Sequence, residues 1–302
     1  MKKYDVIIIG RGPAGLQAAI YTARSGLSTL VLGRSDGSLA KADRIENFFG
    51  FAEPISGQAL LEAGISQAAR LGAVIRDGSV LSADYSAQFP GCFDITCGND
   101  LYIGKSILLA VGKALPRVTK PGISELEGRG ISYCATCDGF LYRGRKVGVL
   151  GAGEYALHEA EALKNFTRDV TLYTDGAPLY GEIRQALQAA EISVKETPVE
   201  SFSSKNSQGE PILSSIHFTD KTKEPIDGMF IALNRPSSAD FSRKLGLLLS
   251  EDGSIQTDAN GKTSLDGIYA AGDCCAGFKQ LAVAVGQACL AARSIISYVR
   301  KG

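Results

Sequence analysis

The chain has 302 residues, of which 45% are apolar and 21% are charged, and its 32 lysine and arginine residues balance its 32 aspartate and glutamate residues. This length is ample for two globular domains, and the composition excludes an intrinsically disordered chain. The neutral balance provides no electrostatic footprint for nucleic acid or for an anionic membrane surface. We therefore expect a globular protein of two domains that binds neither nucleic acid nor membrane.

The apolar run after the first residues is too short for a signal-peptide core, so no targeting signal is expected there. No stretch approaches the roughly 20 apolar residues of a membrane-spanning helix. The expected location is therefore cytoplasmic. In a reducing compartment the seven cysteines are not a structural disulfide framework, and a close pair is either metal-binding or catalytic.

The first predicted elements are a β-branched strand over 4–9, the turn Gly10-Arg-Gly-Pro-Ala-Gly15, a helix, and a second strand over 28–32. In a G-x-G-x-x-G turn, the first glycine permits the tight turn and the second lets the backbone approach a pyrophosphate. The third allows close packing of helix on strand. This pattern predicts a βαβ unit that binds a dinucleotide, and a glycine-rich turn without a ligand is the alternative. The second strand ends in Gly33-Arg34, without the usual acidic residue for the ribose, and Asp36 is not assigned that role.

A second copy of this pattern begins with a strand over 147–150. The turn Gly151-Ala-Gly153-Glu-Tyr-Ala156 follows, and a helix then leads to a strand over 170–173. The polar stretch over 203–209 is predicted to be a surface loop. This second unit is a second Rossmann-like domain.

The remaining elements indicate that the second unit is inserted into the first. A buried strand over 105–112 precedes a proline-containing linker, and a strand over 267–273 precedes a long helix over 281–299. We predict an α/β fold with two Rossmann-like dinucleotide-binding domains, the second inserted into the first. The expected domain limits are 1–113 with 241–302 for the first domain and 120–234 for the second.

The sharpest local signal is the pair Cys134 and Cys137, followed directly by Asp138. Two cysteines at this spacing can close a small disulfide, and motifs of this kind contain reactive thiols that exchange through a mixed disulfide. Asp138 is placed to move protons as the pair opens and closes. A zinc site would need four ligands, and the chain has only two histidines, so no metal site is predicted. The adjacent Cys274 and Cys275 are interpreted as small apolar packing residues.

Four stretches in this order resemble the low-molecular-weight thioredoxin reductase family, and the similarity covers essentially the whole chain. They are Gly10 to Gly15, Ile45-Glu-Asn-Phe-Phe-Gly50, Gly128-Arg-Gly-Ile-Ser-Tyr-Cys-Ala-Thr-Cys-Asp-Gly139, and Gly267-Ile-Tyr-Ala-Ala-Gly-Asp273 with Lys279-Gln280-Leu-Ala282. The resemblance implies that the first domain binds FAD. It also implies that the second carries the dithiol and an NAD(P)-binding-like site, that thioredoxin or a similar dithiol protein is the substrate, and that the chain is a homodimer.

The resemblance also implies the roles of single residues. The FAD-binding residues would be Gly10, Gly12, Pro13, Ala14, Gly15, Asn47, Gly112, Gly272, Asp273, Lys279, Gln280 and Ala282. Of these, the first turn would line the pyrophosphate, Asp273 would bind the ribityl chain, and Asn47 would lie near the flavin. Cys137 would be the thiol nearer the flavin, and Cys134 would attack the partner protein.

The departures from this family are on the side of the pyridine nucleotide. Relatives that use NADPH have arginines where this chain has Asp175, and loss of such arginines removes bidentate bonds to the 2′-phosphate. In the dinucleotide-binding fingerprint an acidic residue at this distance from the glycine turn accepts a ribose hydroxyl, and Asp175 could do so. Arg184 could partly compensate for the missing arginines. Tyr155 replaces a small residue. Asn234 replaces a glycine, and Asp36-Gly-Ser38-Leu39 replaces Gly-Gly-Gln-Leu. The residues predicted for the second nucleotide site are Gly151, Gly153, Glu154, Tyr155 and Asp175.

We therefore expect a disulfide oxidoreductase with FAD and a donor other than NADPH. The chain looks more like the ferredoxin-dependent flavin thioredoxin reductases, or like a diflavin-linked disulfide oxidoreductase with a second FAD in the nucleotide site, than like the NADPH enzymes. One alternative is an ordinary thioredoxin reductase that uses NADH or NADPH, with NAD(H) as the second-site ligand. An alternative from another class is a flavin-binding redox sensor with little turnover.

Overall fold

The computed structural model describes residues 2–34, 37–113, 119–207, 209–233 and 236–301. The chain divides into two compact units. Unit 1 combines Met1–Leu115 with Ser237–Gly302, and unit 2 is Pro116–Pro236. Asp36 and Asn234, two of the departures noted in the sequence, lie outside the described residues.

Strands and helices alternate through most of the described chain. The strands are β1 (Lys2–Ile9), β2 (Thr29–Leu32), β3 (Val74–Arg76), β4 (Val80–Tyr85), β5 (Phe93–Cys97), β6 (Asp100–Leu109), β7 (Ile131–Ser132), β8 (Val147–Leu150), β9 (Val170–Tyr173), β10 (Ser193–Lys195), β11 (Val199–Ser207), β12 (Glu210–Phe218), β13 (Lys223–Pro225), β14 (Gly228–Ile231) and β15 (Ile268–Ala270). The helices are α1 (Pro13–Arg24), α2 (Gly57–Arg70), α3 (Ile123–Leu126), α4 (Ala135–Asp138), α5 (Glu154–Leu163), α6 (Gly181–Ala189), α7 (Ser238–Leu245) and α8 (Leu281–Lys301), with 3₁₀ turns at Ser38–Lys41 and Gly139–Tyr142.

The main sheet of unit 1 has the order β3-β2-β1-β6-β5-β4, and β15 also pairs with β6. β1 lies between β2 and β6 in parallel register, so that Ile7 is opposite both Leu30 and Ile107. The second half of β1 is fully buried because helices or loops cover both faces of a parallel sheet. One core cluster contains side chains of α1, α2 and α8, and a second contains Phe241 of α7.

Helix α8 is long and apolar enough to cross a membrane by length and composition, with a mean hydropathy of 1.4. Such a stretch was not expected from the sequence, because alanines and other small residues interrupt its large apolar residues. A core helix of a globular protein passes the same test. Here Ala284, Ala288, Ala291 and Ile295 belong to the first core cluster of unit 1, so this face of α8 is occupied by protein.

Unit 2 is built on a parallel sheet with the order β10-β9-β8-β14-β7, beside a three-stranded antiparallel sheet of β11, β12 and β13. All four residues of β8 and of β14 are buried. Short, continuously apolar strands of this kind are typical of a parallel sheet covered on both faces. The predicted fold class, α/β with two Rossmann-like domains, is confirmed.

The prediction of a loop is wrong for residues 203–207, which belong to β11, although residues 204–206 are exposed as predicted. β11 pairs here with β12, with Ser203 opposite Ser215. Hydrogen bonds between side chains connect the two strands on the polar face of this sheet. The Ser203 hydroxyl lies 2.7 Å from that of Ser215 and 2.8 Å from Nε2 of His217. The stretch has few β-branched or aromatic residues, so its strand character comes from pairing rather than from propensity.

Candidate flavin site and dithiol centre

The first glycine turn connects β1 to α1, and two of its glycines are required by the fold. Gly10 has a φ of +117°, and a Cβ added there would lie 2.1 Å from the carbonyl oxygen of Ala110. A Cβ on Gly15 would lie 1.9 Å from the carbonyl oxygen of Gly10. Both positions exclude any side chain because helix, turn and strand are in backbone contact.

Gly12 is different, because a Cβ added there would have no protein atom within 4 Å. Gly12 is the N-cap of α1, no side chain caps the helix, and Pro13 occupies a first-turn position where it needs no amide partner. The backbone therefore presents open space and helix N-terminal amides, which bind phosphate groups well. The turn fits the pyrophosphate of a dinucleotide.

The loop after β15 reaches the same end of α1. Gly272 has a φ of +84°, and a Cβ there would lie 3.0 Å from that of Ala14. The Gly272 amide donates to Oε1 of Gln287, 2.9 Å away. The neighbouring Asp273 is half-buried, and its carboxylate makes no hydrogen bond to any residue in the described part of the chain. It is available to a ligand hydroxyl group.

Two further predicted residues of unit 1 are in direct contact although they are distant in sequence. The Asn47 amide donates to Oε1 of Gln280 over 3.1 Å. Ala282 is exposed in the first turn of α8, and Gly112 has a φ of +75°. Lys279 instead donates to the carbonyl oxygen of Cys275. The roles of all these residues toward a flavin stay predictions.

In unit 2, Cys134 and Cys137 form a disulfide. Cys134 is the N-cap of the short helix α4, and its sulfur accepts the Cys137 amide at 3.1 Å. Cys134 is 2% exposed, whereas Cys137 is exposed. The thiol that the resemblance assigns to attack on the partner protein is therefore the buried one in this structure, and its role also stays a prediction.

Two residues that were not predicted from the sequence support the disulfide. The Ser132 hydroxyl donates to Oδ2 of Asp138 over 2.6 Å and accepts the Cys134 amide at 3.1 Å. Glu159, which is 1% exposed, accepts the Ala135 amide at 2.7 Å. Ser132 lies inside the stretch that carries the resemblance, and a carboxylate on the buried face of a helix was the available signal for Glu159.

The second glycine turn connects β8 to α5 in unit 2. A Cβ on Gly151 would lie 2.2 Å from the carbonyl oxygen of Ala232, so this glycine serves the packing of strand on strand. Gly153 is the N-cap of α5, and the first residue of the helix is the exposed Glu154. Tyr155 follows and is only 2% exposed. An acidic group and a buried ring thus stand where a dinucleotide pyrophosphate would approach.

Asp175 follows β9 with a left-handed φ of 57°. Its Oδ1 accepts the Val199 amide at 2.7 Å, and its Oδ2 lies 2.9 Å from Nζ of Lys120. The same ammonium group donates to the Val199 carbonyl over 2.7 Å. Both oxygens of Asp175 therefore already have protein partners. The guanidinium group of Arg184 forms an ion pair with Glu196.

Comparisons with known proteins agree with this arrangement. The sequence profile of the pyridine nucleotide-disulphide oxidoreductase family matches residues 4–288. The chain belongs to this family. The thioredoxin reductase of Aquifex aeolicus (strain VF5) is 35% identical, with 99% of this chain and 94% of the relative aligned.

Solved structures of this family are also similar. The atypical thioredoxin reductase TRi from Desulfovibrio vulgaris Hildenborough is 39% identical with a TM-score of 0.91, covering 100% of this chain and 99% of that one. A ferredoxin-flavin thioredoxin reductase from Clostridium acetobutylicum is 27% identical with a TM-score of 0.73, covering 100% of both chains. The predicted resemblance to thioredoxin reductases is confirmed. The chain is a thioredoxin-reductase-like flavin disulfide oxidoreductase and an enzyme, and membership in this family implies FAD as its cofactor.

In this oxidoreductase we expect Asp138→Asn to slow opening of the disulfide about a hundredfold. Asparagine can keep the hydrogen bond from Ser132, but it cannot hold or release a proton. The measurement is the single-turnover rate of thiol release from the pair, with the thermal unfolding midpoint as a check on folding. Asp220→Asn is the matched control, since Asp220 is a fully exposed carboxylate of the same unit. Equal rates for the two variants would exclude a proton-transfer role for Asp138.

Proposed function

We propose that this enzyme uses FAD to reduce a thioredoxin or a similar dithiol protein through Cys134 and Cys137, and that its electron donor is not NADPH. FAD, when bound, would supply the two electrons that open the disulfide. The proposed holding residues are the first glycine turn, Asp273, Asn47 and Gln280. By analogy with the family, the working form would be a homodimer.

The observation that carries the proposed donor preference is the charge at the end of β9. A 2′-phosphate needs cationic partners, preferably arginine. Here Asp175 neutralises Lys120, and Arg184 is neutralised by Glu196. Glu154 adds a negative charge at the N-terminus of α5, where the helix dipole would otherwise favour a phosphate. The 2′-phosphate of NADPH would therefore lie near Asp175, and its pyrophosphate would lie near Glu154.

NADH is also disfavoured as a donor. The fingerprint role of Asp175 requires a carboxylate oxygen that can accept the ribose hydroxyl. In this chain each carboxylate oxygen of Asp175 already accepts one bond, from the Val199 amide or the Lys120 ammonium group, so a ribose hydroxyl would have to compete with one of these donors. Displacement of the Val199 amide would leave a buried N–H group without its partner, which costs about 1–3 kcal/mol.

Among the remaining donors, we favour a ferredoxin over a second FAD. The similarity to the ferredoxin-flavin enzyme of Clostridium acetobutylicum extends over the whole chain. Tyr155 is only 2% exposed and does not offer an exposed ring face for stacking on a second flavin. The number of flavins released per chain on denaturation distinguishes these two donors, since one supports ferredoxin and two support the second FAD.

The direct test is anaerobic reduction of the purified holoenzyme, followed by loss of the flavin absorbance. We expect no rapid bleaching with micromolar NADPH or NADH, and bleaching with a chemically reduced ferredoxin. Thiol titration should then show that Cys134 and Cys137 become reduced and pass their electrons to thioredoxin. Rapid bleaching with micromolar NADPH would contradict the proposed donor, while failure to reduce any dithiol protein would contradict the proposed substrate.

A further inference from the structure

The adjacent cysteines Cys274 and Cys275 are not used by the proposed function. They lie between Asp273 and Gln280, both proposed FAD-binding residues, and are 1% and 2% exposed. As the sequence predicts, both pack in an apolar core cluster of unit 1. Their sulfur atoms, however, are 4.0 Å apart, within hydrogen-bonding distance of each other. Two thiols in contact with each other can react with each other, and these two lie in a loop proposed to bind the cofactor.

The two sulfurs have different surroundings. The Cys274 sulfur lies 3.3 Å from the carbonyl oxygens of both Leu109 and Ala271, either of which can accept its single thiol proton. Its hydrogen bond to Cys275 and its burial raise the pKa of Cys274. The hydrogen bond from Cys274 lowers the pKa of Cys275, and the ammonium group of Lys279 and the Thr257 hydroxyl act in the same direction. One sulfur is therefore suited to attack and the other to remain protonated until it resolves the product.

Access to Cys275 is limited to small molecules. Thr257 and Lys279, which lie beside its sulfur, are themselves half-exposed. This thiol is therefore buried directly next to side chains that reach solvent. A hydroperoxide is small enough to pass between such side chains as they move, whereas a protein disulfide is not.

We propose that Cys274 and Cys275 form a second oxidisable dithiol, which a hydroperoxide converts into a disulfide between adjacent residues. The Cys275 thiolate attacks the peroxide, the O–O bond breaks, and an alcohol or water leaves, so that Cys275 becomes a sulfenic acid. The Cys274 thiol then attacks this sulfur, the S–O bond breaks, and the proton leaves with the hydroxide as water. The dithiol loses two electrons, and these reduce the peroxide.

Closure of this disulfide would reshape the cofactor loop. A disulfide bond is about 2.05 Å long, so the two sulfurs must approach each other and Cys274 must give up its hydrogen bond to Leu109 or Ala271. The Cys275 amide donates a hydrogen bond to the Gly272 carbonyl over 2.9 Å, which closes a turn. The Lys279 ammonium group donates to the Cys275 carbonyl. We therefore expect movement of Cys275 to shift Gly272 and Lys279, which are the chain neighbours of Asp273 and Gln280. We expect oxidation to loosen FAD, and we expect dithiols to reverse it, as they do for strained disulfides.

The test uses the air-oxidised holoenzyme, in which Cys134 and Cys137 are already a disulfide. The protein is treated with hydrogen peroxide, quenched with catalase, alkylated under denaturing conditions and digested with trypsin. Cleavage after Lys262 and Lys279 releases peptide 263–279, whose only cysteines are Cys274 and Cys275. The expected peptide is unalkylated, lighter by two hydrogens and restored by dithiothreitol, with FAD recovered in the filtrate. A doubly alkylated peptide, or oxygen added to either sulfur without a disulfide, would overturn the proposal.

Variants test the assigned order of attack. Cys274→Ser should leave a sulfenic acid on Cys275 that dimedone traps, and Cys275→Ser should leave Cys274 unmodified at the same peroxide dose. Cys289→Ser is the matched control, because Cys289 is a half-buried cysteine of α8 outside the pair, and it should behave as the wild type does. Oxidation of Cys274 in the Cys275→Ser variant would contradict the assignment, and the wild-type peptide decides the proposal if a variant does not fold.

Discussion

Cys137→Ser is expected to reduce the rate of thioredoxin reduction by about a thousandfold or more. A serine hydroxyl cannot form or open a disulfide, so the pair can no longer hold two electrons for transfer to a dithiol protein. Cys134→Ser should cause the same loss, because the two sulfurs act as one group. The measurement is steady-state reduction of thioredoxin with saturating electron donor, together with the content of bound flavin.

The matched control for the dithiol is Cys92→Ser, which replaces a half-buried free cysteine in unit 1. It should retain full activity. Both dithiol variants should keep their normal FAD content, since the proposed flavin residues belong to unit 1 and the pair belongs to unit 2. Undiminished turnover in Cys137→Ser would remove the basis of the proposed reaction.

Gly12→Ala is expected to weaken FAD binding by about tenfold to a hundredfold, or about 1.4–2.7 kcal/mol, without unfolding the protein. Gly12 has a φ of −80° and a ψ of −174°, which any residue can adopt, and an added methyl group meets no protein atom within 4 Å. The methyl group would occupy only the open space in which we propose that the pyrophosphate binds. The measurement is the dissociation constant of FAD by flavin fluorescence, with the unfolding midpoint of the apoprotein.

Gly15→Ala provides the contrast within the same turn. Its Cβ would overlap the Gly10 carbonyl oxygen, so we expect a loss of at least about 1–3 kcal/mol in the free energy of unfolding. If Gly12→Ala destabilised the apoprotein as much as Gly15→Ala, or left FAD affinity unchanged, the open space in front of Gly12 would not be the cofactor site.

Much of the fold was predictable because it depends on local patterns. The largely apolar runs over 147–150 and 170–173 are strands with those bounds, since strands of a sheet covered on both faces are mostly apolar. Glycine spacing located both strand-to-helix turns. β11 could not be predicted in the same way, because the partner that stabilises its polar residues is another strand and not a local pattern.

The candidate site also has a part that was predictable from local motifs and a part that was not. Motif spacing located Cys134, Cys137 and Asp138, but the supporting carboxylate of Glu159 comes from another helix. The sequence also showed that Asp175 stands where relatives that use NADPH have an arginine. That this carboxylate is engaged by Val199 and Lys120 became visible only when residues distant along the chain were placed together.

The sequence by itself determined the α/β class, the two glycine turns, the reactive cysteine pair and the family, because each is written in residues that are close along the chain. Only the tertiary structure decided that Gly12 faces open space and that Asn47 meets Gln280. It also decided that Asp175 is neutralised and that Cys274 and Cys275 have unlike surroundings. Burial and charge pairing depend on which atoms lie close together in the folded chain. Residues that are distant along the sequence supply many of these atoms.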